Sequence, residues 1–125
     1  MPTLTGAEPQ LFIADMPAAV DFYTRKLGFA VAFLWGEPPY YGQVYRDQAR
    51  FNLRCASPPV IDPDRRQQQE LLSASVTVDD AAALFREFQD AGVDFCQTLQ
   101  SKPWDAHDFI IRDPDGNLVL FTGRG

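Results

Sequence analysis

The sequence predicts an α+β domain made of tandem βαβββ modules that form an open curved sheet around a cleft. Three observations carry this. Two segments, QLFIADMPAAVDFYTRKLGFAV and SASVTVDDAAALFREFQDAGVDF, follow one grammar: strand, aspartate cap, helix, glycine stop, strand. The cap-to-stop spacing nearly coincides, thirteen positions from Asp15 to Gly28 and twelve from Asp80 to Gly92. Each copy is then followed by two strand-like stretches around a polar turn, RDQAR in the first and DPDGN in the second.

In the first copy, residues 10–14 read as a short strand and Asp15 as a cap that accepts the free N–H groups of the first helical turn. Pro17 fits that turn. Val20, Phe22, Tyr23 and Leu27 give the helix an apolar face, and Gly28 ends it in a left-handed conformation. Strands are expected over 29–34, 40–45 and 51–55. The stretch ASPPVIDPDRRQQQE, rich in proline and charge, reads as a surface connector with one helical turn. In the second copy, a strand over 73–79 leads to the Asp80 cap and a helix over 81–91, with Leu84, Phe85 and Phe88 at the buried spacing. Gly92 stops that helix, and strands follow over 93–99, 107–112 and 118–122. The boundaries are module one at about 8–56, connector at about 57–71 and module two at about 72–123, within one domain of residues 1–125.

A helix covers one face of each sheet and leaves the other to line a cleft. Alternation assigns Leu11, Ile13, Val76, Val78, Val119 and Phe121 to the helix side. It assigns Glu8, Gln10, Phe12, Leu53, Ser73, Ser75, Leu118 and Leu120 to the cleft.

Composition narrows the function classes. A net charge of -6, with Arg65-Arg66 as the one basic doublet, disfavours nucleic acid as a partner. No long apolar run predicts a membrane span, and the N-terminus has no signal-peptide pattern. Cys55 and Cys96 form neither a disulfide framework nor a metal cluster, so buried thiols in a reducing cytoplasm are expected. No Gly-rich phosphate loop and no nucleophile–histidine arrangement stands out.

The stretches FIADMPAAVDFYTRKLGF and PWDAHDFIIRDPDGNLVLF resemble the vicinal oxygen chelate family, which includes glyoxalase I, extradiol dioxygenases, fosfomycin-resistance enzymes and bleomycin-resistance proteins. The resemblance runs over nearly the whole chain. It implies that each module builds half of an open barrel around a ligand site. It also implies four metal positions in the family's enzymes, which map here to Glu8, Leu53, Ser73 and Leu120. Two leucines offer no lone pair and a neutral serine is a poor ligand, so neither a metal nor another cofactor is expected.

Binding proteins of the bleomycin-resistance type are more similar, through Pro103, Trp104, Phe109, Asp113, Pro114, Gly116 and Asn117. That resemblance implies metal-independent binding of a small aromatic or cationic molecule, sequestration of an antibiotic, and a homodimer that exchanges its N-terminal strand near Pro9. The alternative it leaves open is a diverged metal-dependent lyase, isomerase or dioxygenase.

The aromatic supply suits a binding role. Phe33, Trp35, Tyr40, Tyr41 and Tyr45 surround a Pro-Pro loop, and rigid planar side chains stack on flat ligands at low entropic cost. Trp35, Tyr40 and Tyr41 stand equally as cleft or subunit-interface residues, whereas Phe33 and Tyr45 read as core. Trp104 sits on a loop able to cap the cleft. His107, the sole histidine, joins the candidates as a loop or strand-edge residue. Glu37, Asp105 and Asp108 would make a pocket mouth acidic.

Overall fold

The computed structural model describes residues 1–60 and 62–123. In chain order the elements are β1 (Gln10–Ile13), α1 (Met16–Asp21) running into a π-helical turn (Phe22–Lys26), β2 (Ala30–Gly36), β3 (Pro39–Arg46), β4 (Ala49–Cys55), α2 (Pro63–Gln68), β5 (Ala74–Thr77), α3 (Ala81–Asp90), β6 (Asp94–Lys102), β7 (Ala106–Arg112) and β8 (Leu118–Gly123). The two sheets have corresponding orders, β1-β4-β3-β2 and β5-β8-β7-β6. In each, the first and last strands of the module pair in parallel and the remaining pairs are antiparallel.

The helix boundaries follow from side-chain chemistry. Asp15 accepts a hydrogen bond from the Ala18 N–H at 3.3 Å, and Asp80 accepts one from Ala83 at 3.0 Å. Gly28 and Gly92 end their helical segments at φ 76° and 78°, which other residues adopt only with strain. The connector supplies the helical turn expected of it, α2. The π-helical turn is a departure. There the Leu27 N–H donates to the Phe22 carbonyl, five residues back, and the extra residue per turn lets Phe22, Tyr23 and Leu27 all enter the core.

One core serves both modules. Tyr23, Phe29 and Phe51 form an aromatic cluster on the first sheet, and Phe88, Phe109 and Phe121 form its counterpart on the second. Leu53 belongs here and not in the cleft, contrary to the alternation drawn from sequence. It pairs in parallel with Leu11, so the two side chains share the helix-side face, and it is 0% exposed. Phe33 departs in the opposite sense: it is 43% exposed and is no core residue. Tyr45 is half-buried under the guanidinium of Arg50.

The modules are locked together at the DPDGN turn. The Asp113 side chain accepts four hydrogen bonds: from the Tyr23 hydroxyl at 2.9 Å, from the Asp115 and Asn117 backbone N–H groups at 2.9 and 2.8 Å, and from Asn117 Nδ2 at 2.9 Å. Asn117 Nδ2 also donates to the Phe12 carbonyl at 2.9 Å, and the Ala14 N–H donates to Asp115 Oδ1 at 2.9 Å. Ser73 and Arg66 continue the network into the connector. The Ser73 hydroxyl donates to Asn117 Oδ1, and Arg66 donates to the Ser73 hydroxyl and the Leu71 carbonyl. Burial pushes the Asp113 carboxyl above its ordinary value against these donors, and it holds the Tyr23 phenol well above its own.

Replacing Tyr23 by phenylalanine removes one charge-assisted donor and keeps the ring. The expected loss is about 1.5–3 kcal/mol of stability, read as a lower urea midpoint at unchanged slope. An unchanged midpoint would show that the lock does not carry the inter-module contact.

Candidate functional site

The face of the first sheet turned away from the helix is organised in three rows across the strands, set by the pairing registers. One row runs Phe12 (β1), Arg54 (β4), Tyr41 (β3), Trp35 (β2). The next runs Gln10, Asn52, Gln43, Phe33, and the third joins Arg50, Tyr45 and Ala30. With strands about 4.8 Å apart, a four-residue row spans about 14 Å, enough for two or three fused rings. A register shift between Val31 and Phe33 brings Phe33 and Trp35 onto this face. The Phe33 and Tyr41 rings lie 5.9 Å apart, and Trp35 is 66% exposed.

The corresponding face of the second sheet is more apolar. Ile110 and Leu120 pair across β7 and β8, with Ser75 beside Leu120 on β5 and Leu118 fully buried two residues before it. Its carboxylates are already engaged. Asp108 is buried, accepts from Gln97 Nε2 at 2.8 Å and lies 3.7 Å from Lys102 Nζ, while Asp94 pairs with Arg112 at 2.6 Å. Asp108 therefore does not supply acidity at a pocket mouth.

The remaining candidates are scattered. Tyr40 lies out of phase with Tyr41 and packs on Gly36, where any Cβ would overlap its ring. Trp104 is 71% exposed in the β6–β7 hairpin, the counterpart of the β2–β3 hairpin that carries Trp35. Glu8 is exposed ahead of β1, and Ser73 is held in the connector network, one residue short of β5. His107 shares the parity of Phe109 and Ile111, on the helix side, with its Nδ1 3.3 Å from the Ser101 hydroxyl. It does not enter the cleft face.

The structure also corrects one of the four metal-equivalent positions. Gln10 and Ser75 each stand five residues before their capping aspartates, and their parallel partners are Asn52 and Leu120. The module-one counterpart of Leu120 is thus Asn52 and not the buried Leu53, and the set implied by the resemblance becomes Glu8, Asn52, Ser73 and Leu120. It contains one carboxylate, one amide, a hydroxyl and a hydrocarbon, with the Asn52 Oδ1 already accepting from Gln43 at 2.9 Å. These donors do not fit a catalytic divalent cation, which needs several anionic or imidazole ligands. Among the described residues, no group of three or more His, Cys, Asp or Glu side chains converges elsewhere.

A cavity of about 750 Å³ opens between the modules; Arg50 of the third row reaches its lining, whereas Phe33, Trp35 and Tyr41 do not. It is bounded by Ala7 and Pro9, the β3–β4 turn, the outer edge of β5 and α3. The bidentate pair of Arg46 and Glu87, at 2.7 and 3.1 Å, spans the two modules along it, and that pairing raises the Arg46 guanidinium further.

The chain is a two-module, open-sheet α+β domain whose first sheet presents a free face rich in aromatic side chains and poor in metal donors. The family model of the Glyoxalase/Bleomycin resistance protein/Dioxygenase superfamily matches residues 7–121, and the chain belongs to that superfamily. It is 24% identical to a bleomycin resistance protein of Geobacillus stearothermophilus, over 90% of this chain and 92% of that one. Among solved structures, it is similar to the bleomycin-binding protein of bleomycin-producing Streptomyces verticillus complexed with copper(II)-bleomycin (27% identity, TM-score 0.73, covering 100% and 99% of the two chains). It also shares its fold with a glyoxalase-related enzyme from Clostridium phytofermentans (19% identity, TM-score 0.78, covering 99% and 98%). The fold thus spans binders and enzymes, and the residues of the cleft must decide between them.

Protein purified without chelator is expected to carry divalent metal far below one equivalent per chain by elemental analysis. A stoichiometric metal would overturn the donor argument.

Proposed function

We propose that this chain is a metal-independent binding protein that sequesters a small planar aromatic compound, with antibiotics of the bleomycin type as the first candidates. The observation that carries the reading is the aromatic set of exposed Phe33 and Trp35 with half-buried Tyr41, on a sheet face poor in metal ligands. The bleomycin-binding relative supports it. In this reading Trp104 caps the ligand from the second sheet and Leu120 forms an apolar floor. Tyr40, set out of phase, contributes at the rim. Ser73, Glu8 and His107 contact no ligand directly.

The working unit in this reading is a homodimer in the cytoplasm. β2 is an edge strand with Val31, Phe33, Leu34 and Trp35 all exposed, a surface that monomeric proteins seldom leave uncovered. The outer edge of β5 borders the inter-module cavity with no strand beside it, and residues 1–8 are exposed nearby. An N-terminal segment from a second copy would add a strand there. No helix among the described residues is long and apolar enough to cross a membrane.

Titration calorimetry with bleomycin and a panel of planar aromatic compounds tests the binding reading. At least one compound should bind in the micromolar range or tighter, and Trp35→Ala should weaken it about tenfold or more. If the whole panel fails to bind at high micromolar concentration, the sequestration reading falls. Light scattering tests the assembly. A dimer is expected, and removal of residues 1–9 should raise its dissociation constant. An unchanged constant would eliminate strand exchange, and a Trp35→Ala variant that becomes monomeric would move Trp35 from the cleft to the interface.

A further inference from the structure

We infer that the aromatic face recognises an anionic group, so that the ligand class is a planar aromatic carrying a carboxylate or comparable oxyanion. This rests on the binding reading above and turns its ligand class from the cationic compounds that the resemblance implies toward anionic aromatics. The argument starts from Arg50, which can only donate hydrogen bonds. Its Nη1 donates to Gln43 Oε1 at 3.1 Å, so the Gln43 amide must turn its Nε2 away, toward Asn52 Oδ1 at 2.9 Å. Asn52 is thereby oriented in turn, with its oxygen engaged and its Nδ2 donors left over. The relay engages each amide oxygen once and leaves unused N–H groups on Gln43 and Asn52 at the centre of the face. With the Arg50 and Arg54 guanidinium groups, donors outnumber acceptors there, which favours a ligand that brings acceptors.

Charge points the same way. The three rows contain Arg50 and Arg54 and no carboxylate, in a chain whose net charge is -6. Among the described residues, neither arginine lies within ion-pair distance of an acidic group, whereas the second sheet's Asp94 and Asp108 are both paired. The Arg50 guanidinium is held over the Tyr45 ring at 5.1 Å, which fixes its direction before any ligand arrives. Arg54 is exposed between Phe12 and Tyr41, two strands from Trp35. A ring stacked on Tyr41 and Trp35 would place a substituent over Arg54, where a planar fork matches a carboxylate. A polycation would meet two uncompensated guanidinium groups.

The test uses three isosteric probes on the full chain: anthraquinone-2-carboxylate, its carboxamide and 2-(aminomethyl)anthraquinone, followed by tryptophan fluorescence. The carboxylate should bind about tenfold or more tighter than the amide, and the amine weakest. Arg54→Gln should remove that preference, bringing the carboxylate down to about the affinity of the amide for the same variant. Trp35→Ala should weaken all three. If the amine binds as well as the carboxylate, or Arg54→Gln leaves the preference intact, the anion inference fails while the binding reading stands. If none of the three binds and the antibiotic panel is also silent, both fail together; if an antibiotic alone binds, only the inference fails.

Discussion

The rest of the architecture depends on one buried carboxylate. Asp113 is 3% exposed, and a charge so placed is costly unless its oxygens are fully engaged. Four donors converge on it, from the first helix, the following turn and Asn117. Asn117 in turn holds β1 at the Phe12 carbonyl. The position of β1 sets Gln10 and Phe12 in their rows, so the edge of the cleft face is fixed from the opposite module. The first module's turn, RDQAR, plays the corresponding part with different chemistry. It reaches α3 through the exposed Arg46–Glu87 pair and leaves the 750 Å³ cavity beside β5. One seam between the modules is sealed by a buried network and the other is bridged at its rim.

The duplicated grammar was legible because each of its signals is local. A capping aspartate, an apolar helical face and a stop glycine act within a few residues of themselves, and both copies show all three. What failed was long-range. The pairing of β1 with β4 joins strands about forty residues apart, and nothing nearby in sequence fixes that register. Leu53 was therefore assigned to the cleft, and with it one metal-equivalent position that belongs to Asn52. A signal was present: in ARFNLRC, Phe51 and Leu53 share a parity opposite to Asn52 and Arg54. Reading that alternation against Val44 and Gln43 would have brought out the Arg50–Gln43–Asn52 relay, which the sequence analysis missed. Phe33 was misplaced for another reason, since the bulge at Ala32 resets the parity of β2.

The two cleft faces have diverged more than the two modules. On the helix side the copies remain close in kind, with aromatic clusters of three on each sheet. On the cleft side one sheet offers arginines, amides and exposed rings, and the other offers aliphatic side chains with internally paired charges. Such an asymmetry suits an amphipathic aromatic ligand, because one surface recognises its polar edge while the other excludes water from its rings.

That divergence was structurally permitted. The core clusters and the Asp113 lock involve helix-side residues and a turn, and none of them requires a cleft-facing side chain from the Arg50, Asn52 or Leu120 positions. An amide or a leucine at such positions leaves the folding determinants intact. It also removes the uncompensated cluster of anionic ligands that an enzyme must tolerate when its metal is absent. The same scaffold can therefore exchange chemistry for binding through a few substitutions on one face. This is why the fold alone does not separate this chain from its enzyme relatives, and why the side chains of that one face carry the argument.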